Sequence, residues 1–214
     1  YMDEPVELRA VPELRRCVND LAFVGCLINP DPTEGLGDPP GMGDPWWHPL
    51  YRAMVELDVP GLIPSAGSCS ERESYTLKFL NEETISIVSL LGAKTLDSFP
   101  GLKLVVAHGG GGIPYQMGRF RSWSVRKGEK ETFDEQLKKL YFDTCNYSQD
   151  AMELLLKVAG TDNVMFGTEK PGTGSARNPL TGRDYDDMKP VIEGLSWLTH
   201  EQKRNICECN CRRL

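Results

Sequence analysis

No apolar run in this sequence approaches the roughly 18 residues that a membrane-spanning helix needs. The opening Tyr1-Met2-Asp3-Glu4-Pro5 has neither the basic nor the apolar region of a secretory leader. Dense Lys/Arg blocks are missing too: 24 basic residues are dispersed among 31 acidic ones, for a formal net charge of −7. That balance argues against a nucleic-acid or anionic-membrane surface and for a small-molecule partner. The seven cysteines are odd in number and include no Cys-x-x-Cys pair. A chain of this length needs no staples, so reduced thiols and a cytoplasmic location are expected. What is present, 40% hydrophobic and 26% charged residues over 214 positions, suits one globular domain spanning 1–214.

Short apolar runs alternate with longer amphipathic segments, the pattern of parallel strands and their crossover helices. The candidate strands are 22–28, 61–63, 102–107, 140–143 and 164–167, each short and apolar enough to be buried on both faces. Between them the spacing predicts helices over 12–20, with Pro12 at the first turn, then 49–57, 82–91, 114–123 and 150–158, the last capped by Asp150. A Gly/Pro-rich loop over 168–186 precedes two more helices, 189–197 and 199–211. Thr199 and Gln202 make a capping box at the start of the second. Polar clusters follow the strands, at Asn29-Pro30-Asp31, His108 with its four glycines, Thr144-Cys145-Asn146 and Thr168-Glu169-Lys170. In open parallel sheets and in (β/α)8 barrels alike, sites lie beyond the C-terminal strand ends.

Among these, His108 is the leading catalytic candidate, because it ends a buried strand beside glycines that let the backbone approach a ligand closely. Glu169 is the second, since a carboxylate at a buried strand end calls for a metal or a proton-transfer role. Its bland alternative is an ion pair with Lys170 or a nearby arginine. Arg119 could hold an anionic substrate with its guanidinium fork, or it could be a solvated surface residue. Arg121, two residues on, lies on another face of the same helix, so at most one of the two can point into a site. The tail Cys207-Glu208-Cys209-Asn210-Cys211 is discounted as a metal site, because on a helix only Cys207 and Cys211 share a face. His48, beside the Trp46-Trp47 pair, and His200 read as structural or exposed.

Several motifs together carry a family resemblance: Asn29-Pro30-Asp31-Pro32, Trp47-His48-Pro49-Leu50-Tyr51, Leu80-Asn81, Val106-Ala107-His108-Gly109-Gly110-Gly111 through Arg119, Phe142-Asp143-Thr144-Cys145, Thr168-Glu169 and Tyr185-Asp186-Asp187. The chain resembles the 4-oxalomesaconate hydratases of the amidohydrolase-2 group over nearly all its length. That resemblance implies a metal-dependent (β/α)8 barrel, of which this sequence would be the C-terminal five βα units with the N-terminal strands absent. It also implies a Zn2+ held by a His-x-His on the first strand, a fifth-strand histidine and an eighth-strand acid. Glu169 matches that acid, as metal ligand or as base; His108 matches the sixth-strand acid/base histidine; Arg119 and Asn81 match substrate-binding positions. No His-x-His occurs, and the fifth-strand histidine falls on Pro64, which has neither an imidazole nor a backbone N–H. Where the relatives carry Tyr, this chain has Phe79.

Zn2+ binding by this chain is therefore expected to be weak or absent, since a catalytic zinc needs about three protein ligands. The expected activity is hydration of an unsaturated keto-polycarboxylate in aromatic-acid breakdown, by a chain that could also form a homo-oligomer. A nonoxidative decarboxylase of the same superfamily is the alternative, and an inactive remnant with a binding role is a third reading.

Overall fold

The computed structural model describes residues 6–33, 37–64 and 72–214. The opening pentapeptide, Ser65 and Cys69 lie outside the described residues. The chain divides into two compact units, Tyr1–Val105 and Val106–Leu214.

In the first unit, β1 (Cys26–Leu27) pairs in parallel with β2 (Gly61–Ile63), Cys26 opposite Gly61 and Leu27 opposite Leu62. Gly61 donates its N–H to the carbonyl of Lys103 at 2.9 Å, just ahead of β3 (Leu104–Val106). A side chain at Gly61 would meet Ile28 and Met54 at about 2.5 Å, so glycine is what lets this strand pack. Helix α1 (Val6–Leu21) packs on α2 (His48–Leu57). Helix α2 buries Leu50, Tyr51, Ala53 and Met54 on one face, the i, i+3, i+4 spacing of an amphipathic helix. Polar tips in this core are satisfied: the Tyr51 hydroxyl donates to the Met42 carbonyl at 2.7 Å and the Trp47 indole N–H to Pro40 at 3.0 Å. His48 packs edge-on against Phe99, which directly follows the short helix α4 (Thr95–Ser98), with ring centroids 4.9 Å apart. It is structural, as its sequence context suggests.

Three expectations fail in this unit. Pro12 is not at the first turn of α1, which starts at Val6. Helix α3 (Tyr75–Gly92) begins seven residues earlier than its apolar periodicity indicates, because the Ser74 side chain accepts the Leu77 N–H and caps it there. Strand β1 is not buried on both faces: Leu27 is 71% exposed and Val24 85%. β1 is an edge strand with no layer over its outer side among the described residues.

In the second unit, β4 (Tyr141–Asp143) pairs in parallel with β5 (Val164–Met165), Phe142 opposite Val164 and Asp143 opposite Met165. Helix α5 (Met117–Arg126) brings Phe120 onto Phe133 of α6 (Phe133–Leu137), rings stacked at 5.4 Å. The α6 N-terminus is closed by a capping box between Thr132 and Glu135. Helix α7 (Gln149–Ala159) buries Met152, Leu155, Leu156 and Ala159; its cap is Ser148, not Asp150, and Ser148 accepts the Ala151 N–H. Asp150 falls instead in the first turn, where a negative charge also suits the helix dipole. After α8 (Lys189–Gly194), the C-terminal segment breaks into α9 (His200–Arg204), a π turn over Asn205–Cys209 and α10 (Asn210–Arg213). Thr199 and Gln202 form the expected capping box. The break places Asn210 under β5, where its amide donates to the carbonyls of Thr161 at 2.8 Å and Val164 at 2.7 Å.

No helix among the described residues is long and apolar enough to cross a membrane.

Candidate active site

The site is built from three strand-end segments, those after β3, β4 and β5. Val106 and Ala107 are buried, and the chain then turns through four consecutive left-handed residues, His108 (φ 49), Gly109 (φ 63), Gly110 (φ 83) and Gly111 (φ 59). Glycine adopts this region without cost, but His108 does not. Asp143, ending β4, holds the turn: its Oδ1 accepts the N–H of Gly109 and the N–H of Cys145, each at 3.0 Å. The next residue, Thr144, is fully buried and ties the end of β4 to the residue after Phe166. Its hydroxyl donates to the Gly167 carbonyl and accepts the Gly167 N–H, both at 3.1 Å.

These ties set the position of Glu169, two residues beyond Gly167. The Glu169 backbone N–H donates to Oδ2 of the buried Asp186 at 2.9 Å. Gly174 packs so closely on Asp186 that a Cβ there would lie 2.5 Å from the Asp186 Cβ. The Glu169 side chain meets two partners on one oxygen. His108 Nε2 stands 3.6 Å from Oε2, with the two side chains 14% and 22% exposed. The Tyr147 hydroxyl donates a hydrogen bond to the same Oε2. At 3.6 Å the His108 contact is an ion-pair approach rather than a hydrogen bond, close enough for small shifts to pass a proton. Cys145 is buried beside this group; burial foremost, then the negative charge of Asp143, pushes its thiol well above the usual range. It stays protonated and is no nucleophile.

The structure therefore brings His108 and Glu169 together. Glu169 does not pair with Lys170, which binds Asp184 instead. Arg121 is committed to a two-pronged pair with Asp134, at 2.8 and 2.6 Å. Arg119 lies exposed on α5 with no hydrogen bond or ion pair among the described residues. It is not drawn to His108 or Glu169. Asn81 belongs to the first unit, on α3, and donates to Glu73 at 2.6 Å. Pro64 directly follows β2. Tyr147 is not legible in the sequence: a lone tyrosine directly after a strand-end cluster carries no spacing signal.

Among the described residues, no group of three or more His, Cys, Asp or Glu side chains is arranged to hold a metal ion. Asp143 spends its Oδ1 on two backbone N–H groups, Asp186 its Oδ2 on a third, and Cys145 is a buried thiol, so the two possible donors whose side chains meet are Glu169 and His108. Two donors do not make a catalytic metal site of the three-ligand kind. The residues present do not by themselves fit the metal.

A family model described as Amidohydrolase matches residues 2–214. The chain belongs to this amidohydrolase family. It is 37% identical over 206 residues to a 2-keto-4-carboxy-3-hexenedioate hydratase from Sphingobium, an alignment covering 96% of this chain and 60% of that protein. The solved 4-oxalomesaconate hydratase of Rhodopseudomonas palustris superposes with a TM-score of 0.87 at 37% identity, covering 98% of this chain and 61% of that one. A dihydroxybenzoic acid decarboxylase from Polaromonas, solved with bound manganese and 2-nitroresorcinol, superposes at 0.78 with 22% identity and 97% of this chain covered, but only 65% of its own length; it attests the fold alone. The amidohydrolase fold is thus the α/β barrel type expected, in a family of metal-dependent enzymes. The chain spans about three fifths of the length of the hydratases it matches.

Proposed function

We propose that this amidohydrolase chain carries the proton-transfer pair of a cytoplasmic hydratase that adds water across the carbon–carbon double bond of an unsaturated keto-polycarboxylate in aromatic-acid breakdown. The observation that carries the reading is the approach of His108 to Glu169 at 3.6 Å on the strand ends. Its support is the match to hydratases along almost the whole chain at 37% identity. The relation to a γ-resorcylate decarboxylase from Rhizobium radiobacter is weaker, at 29% over 76% of the chain.

Hydration needs a base to take a proton from water as its oxygen bonds to one alkene carbon, and an acid to deliver a proton to the other. In this reading Glu169 takes the proton from water and His108, protonated, supplies the second; transfer between the two across their contact restores the starting state. Net charge is conserved and no redox partner is required. The exposed guanidinium of Arg119 offers a bidentate grip on a substrate carboxylate. For Asn81, in the other unit, a substrate-binding role rests on the family resemblance alone; its amide donates to Glu73 at 2.6 Å. The metal of the family, zinc or manganese, has Glu169 as its one matched ligand here, and no step is derived through it.

The test is direct. The chain is mixed with 4-oxalomesaconate or with 2,6-dihydroxybenzoate, with Zn2+ or Mn2+ supplied. Binding is followed by calorimetry, and products by chromatography. Binding of the tricarboxylate, weakened in Arg119→Ala, is the expected result, with hydration by the chain as given at no more than background because its described residues make no three-ligand metal site. Release of CO2 from the dihydroxybenzoate without hydration, or no binding of the tricarboxylate, overturns the reading.

A further inference from the structure

The Glu169 carboxylate is held asymmetrically. Both groups that touch it, the Tyr147 hydroxyl and His108 Nε2, engage Oε2, and Oε1 has no protein partner among the described residues. The residue that imposes this asymmetry sits in an unfavourable conformation. Tyr147 has φ 61, in the left-handed region that is unfavourable for a non-glycine residue. It is one residue ahead of Ser148, the cap of α7, and three beyond Thr144, the residue that ties the β4 end to Gly167. Both flanks of its backbone are therefore anchored, and the anchoring aims the phenol at Glu169. His108, on the other side of the same oxygen, is likewise left-handed at φ 49. Two strained backbones converging on one carboxylate oxygen is the pattern of side chains held in place for chemistry rather than for packing.

We propose that Tyr147 is a positioning residue for Glu169: its O–H fixes Oε2 beside His108 and thereby leaves Oε1 as the oxygen that meets water. The role in turnover rests on the hydratase reading; the positioning itself does not. A hydrogen bond from a neutral hydroxyl to an ionised carboxylate is among the stronger kinds, and losing it lets the carboxylate rotate away from His108. Acting through Glu169 and not on the substrate, this group sets kcat, so its loss lowers kcat and leaves KM alone.

The experiment uses the three histidines of the chain as reporters. With 15N-labelled histidine, the ring signals of His48, His108 and His200 are recorded at one fixed pH for the unmodified chain, Tyr147→Phe, Glu169→Ala and the double variant. Phenylalanine keeps the ring and its magnetic effect and removes only the O–H. The expected result is that Tyr147→Phe moves the His108 signals and not those of His48 or His200, and that it moves nothing further once Glu169 is alanine. Tyr147→Gly, which suits φ 61, should show the same coupling loss with the fold retained. Where turnover is measurable, Tyr147→Phe lowers kcat by roughly ten- to a hundredfold at unchanged KM. An unmoved His108 in Tyr147→Phe, or an equal shift with and without Glu169, overturns the proposal. Failure of the unmodified chain to bind the tricarboxylate would instead count against the hydratase reading, with the histidine cycle still deciding the role of Tyr147.

Discussion

Replacing Thr144 by valine removes one hydroxyl and nothing else of consequence in shape, yet it should be among the costlier single changes in the second unit. The hydroxyl makes two bonds to one residue, donating to the Gly167 carbonyl and accepting the Gly167 N–H, and Thr144 is fully buried. Valine orphans both backbone groups at once. An unsatisfied buried polar group costs about 1–3 kcal/mol, and Gly167 is half-buried, so the lower part of that range applies to each. The extra methyl returns about 0.8 kcal/mol. The net expectation is a loss of about 2 kcal/mol. With a urea m-value near the upper end of the usual ~1–3 kcal/mol/M for a chain of this size, the midpoint should fall by about 0.7 M. Thr144→Ser is the control: it keeps both bonds, forfeits a methyl and should lose only about 1 kcal/mol. Unfolding followed by tryptophan fluorescence measures both. Because Gly167 leads directly to Glu169, the valine variant should also lose turnover or tricarboxylate binding below its unfolding midpoint, while serine keeps it. A valine variant as stable as the parent, or a serine variant as damaged as valine, would refute the argument that this double bond locks the β4 and β5 ends.

Other consequences are simpler to check. Asn210→Leu strands the carbonyls of Thr161 and Val164 and should cost about 2–3 kcal/mol, read from the same urea curves. Cys145 should resist a thiol reagent at pH 8 until the protein unfolds, whereas the exposed Cys211 reacts at once; mass spectrometry of the labelled peptides distinguishes them. Burial pushes the Cys26 thiol up to about 11 from an ordinary value near 9, so the folded form holds a proton that the unfolded form releases first. Its stabilising contribution is complete below pH 9 and lost as pH rises toward 11, a slope that Cys26→Ala should remove from stability measured across that interval. The 214-residue chain should bind Zn2+ weakly, and Pro64→His alone should not bring it to one equivalent by elemental analysis; stoichiometric zinc in the unmodified chain would mean that the ligands lie elsewhere.

The parts legible in sequence were those set by local pattern. The apolar runs at 61–63 and 140–143 announced strands because alternation with helix periodicity leaves little else for them to be, and Thr199 with Gln202 announced a helix start because both partners of the capping box are local. Boundaries set by competition were less legible: Ser148 and Asp150 are both able to cap α7, and only the backbone extended at Ser148 decides between them. The exposure of Leu27 could not be read from its apolar run, since burial depends on what covers a strand and not on the strand. Within the site, His108 and Glu169 were legible as strand-end residues. Tyr147 was not, because its role comes from a left-handed backbone and a through-space contact 22 residues away. Arg119, picked for its spacing on the helix after the glycines, sits in solvent, and one helical period cannot say which way a guanidinium turns.

The loop that follows Glu169 closes on itself before it returns. Its neck is the hydrogen bond from the Glu169 N–H to Asp186, and above the neck Asn178 and Arg183, Ala176 and Tyr185 are joined through their backbones, with Leu180 almost wholly exposed at the tip. A closed neck separates what happens at the tip from what happens at the base. Doubling the length of such a loop costs only about 0.6 kcal/mol in closure entropy, so extra polypeptide spliced in beside Leu180 should leave the carboxylate where it is. The segment is a natural insertion port: a place where new specificity, a tag or a whole recognition module can be added next to the chemistry without being wired into it.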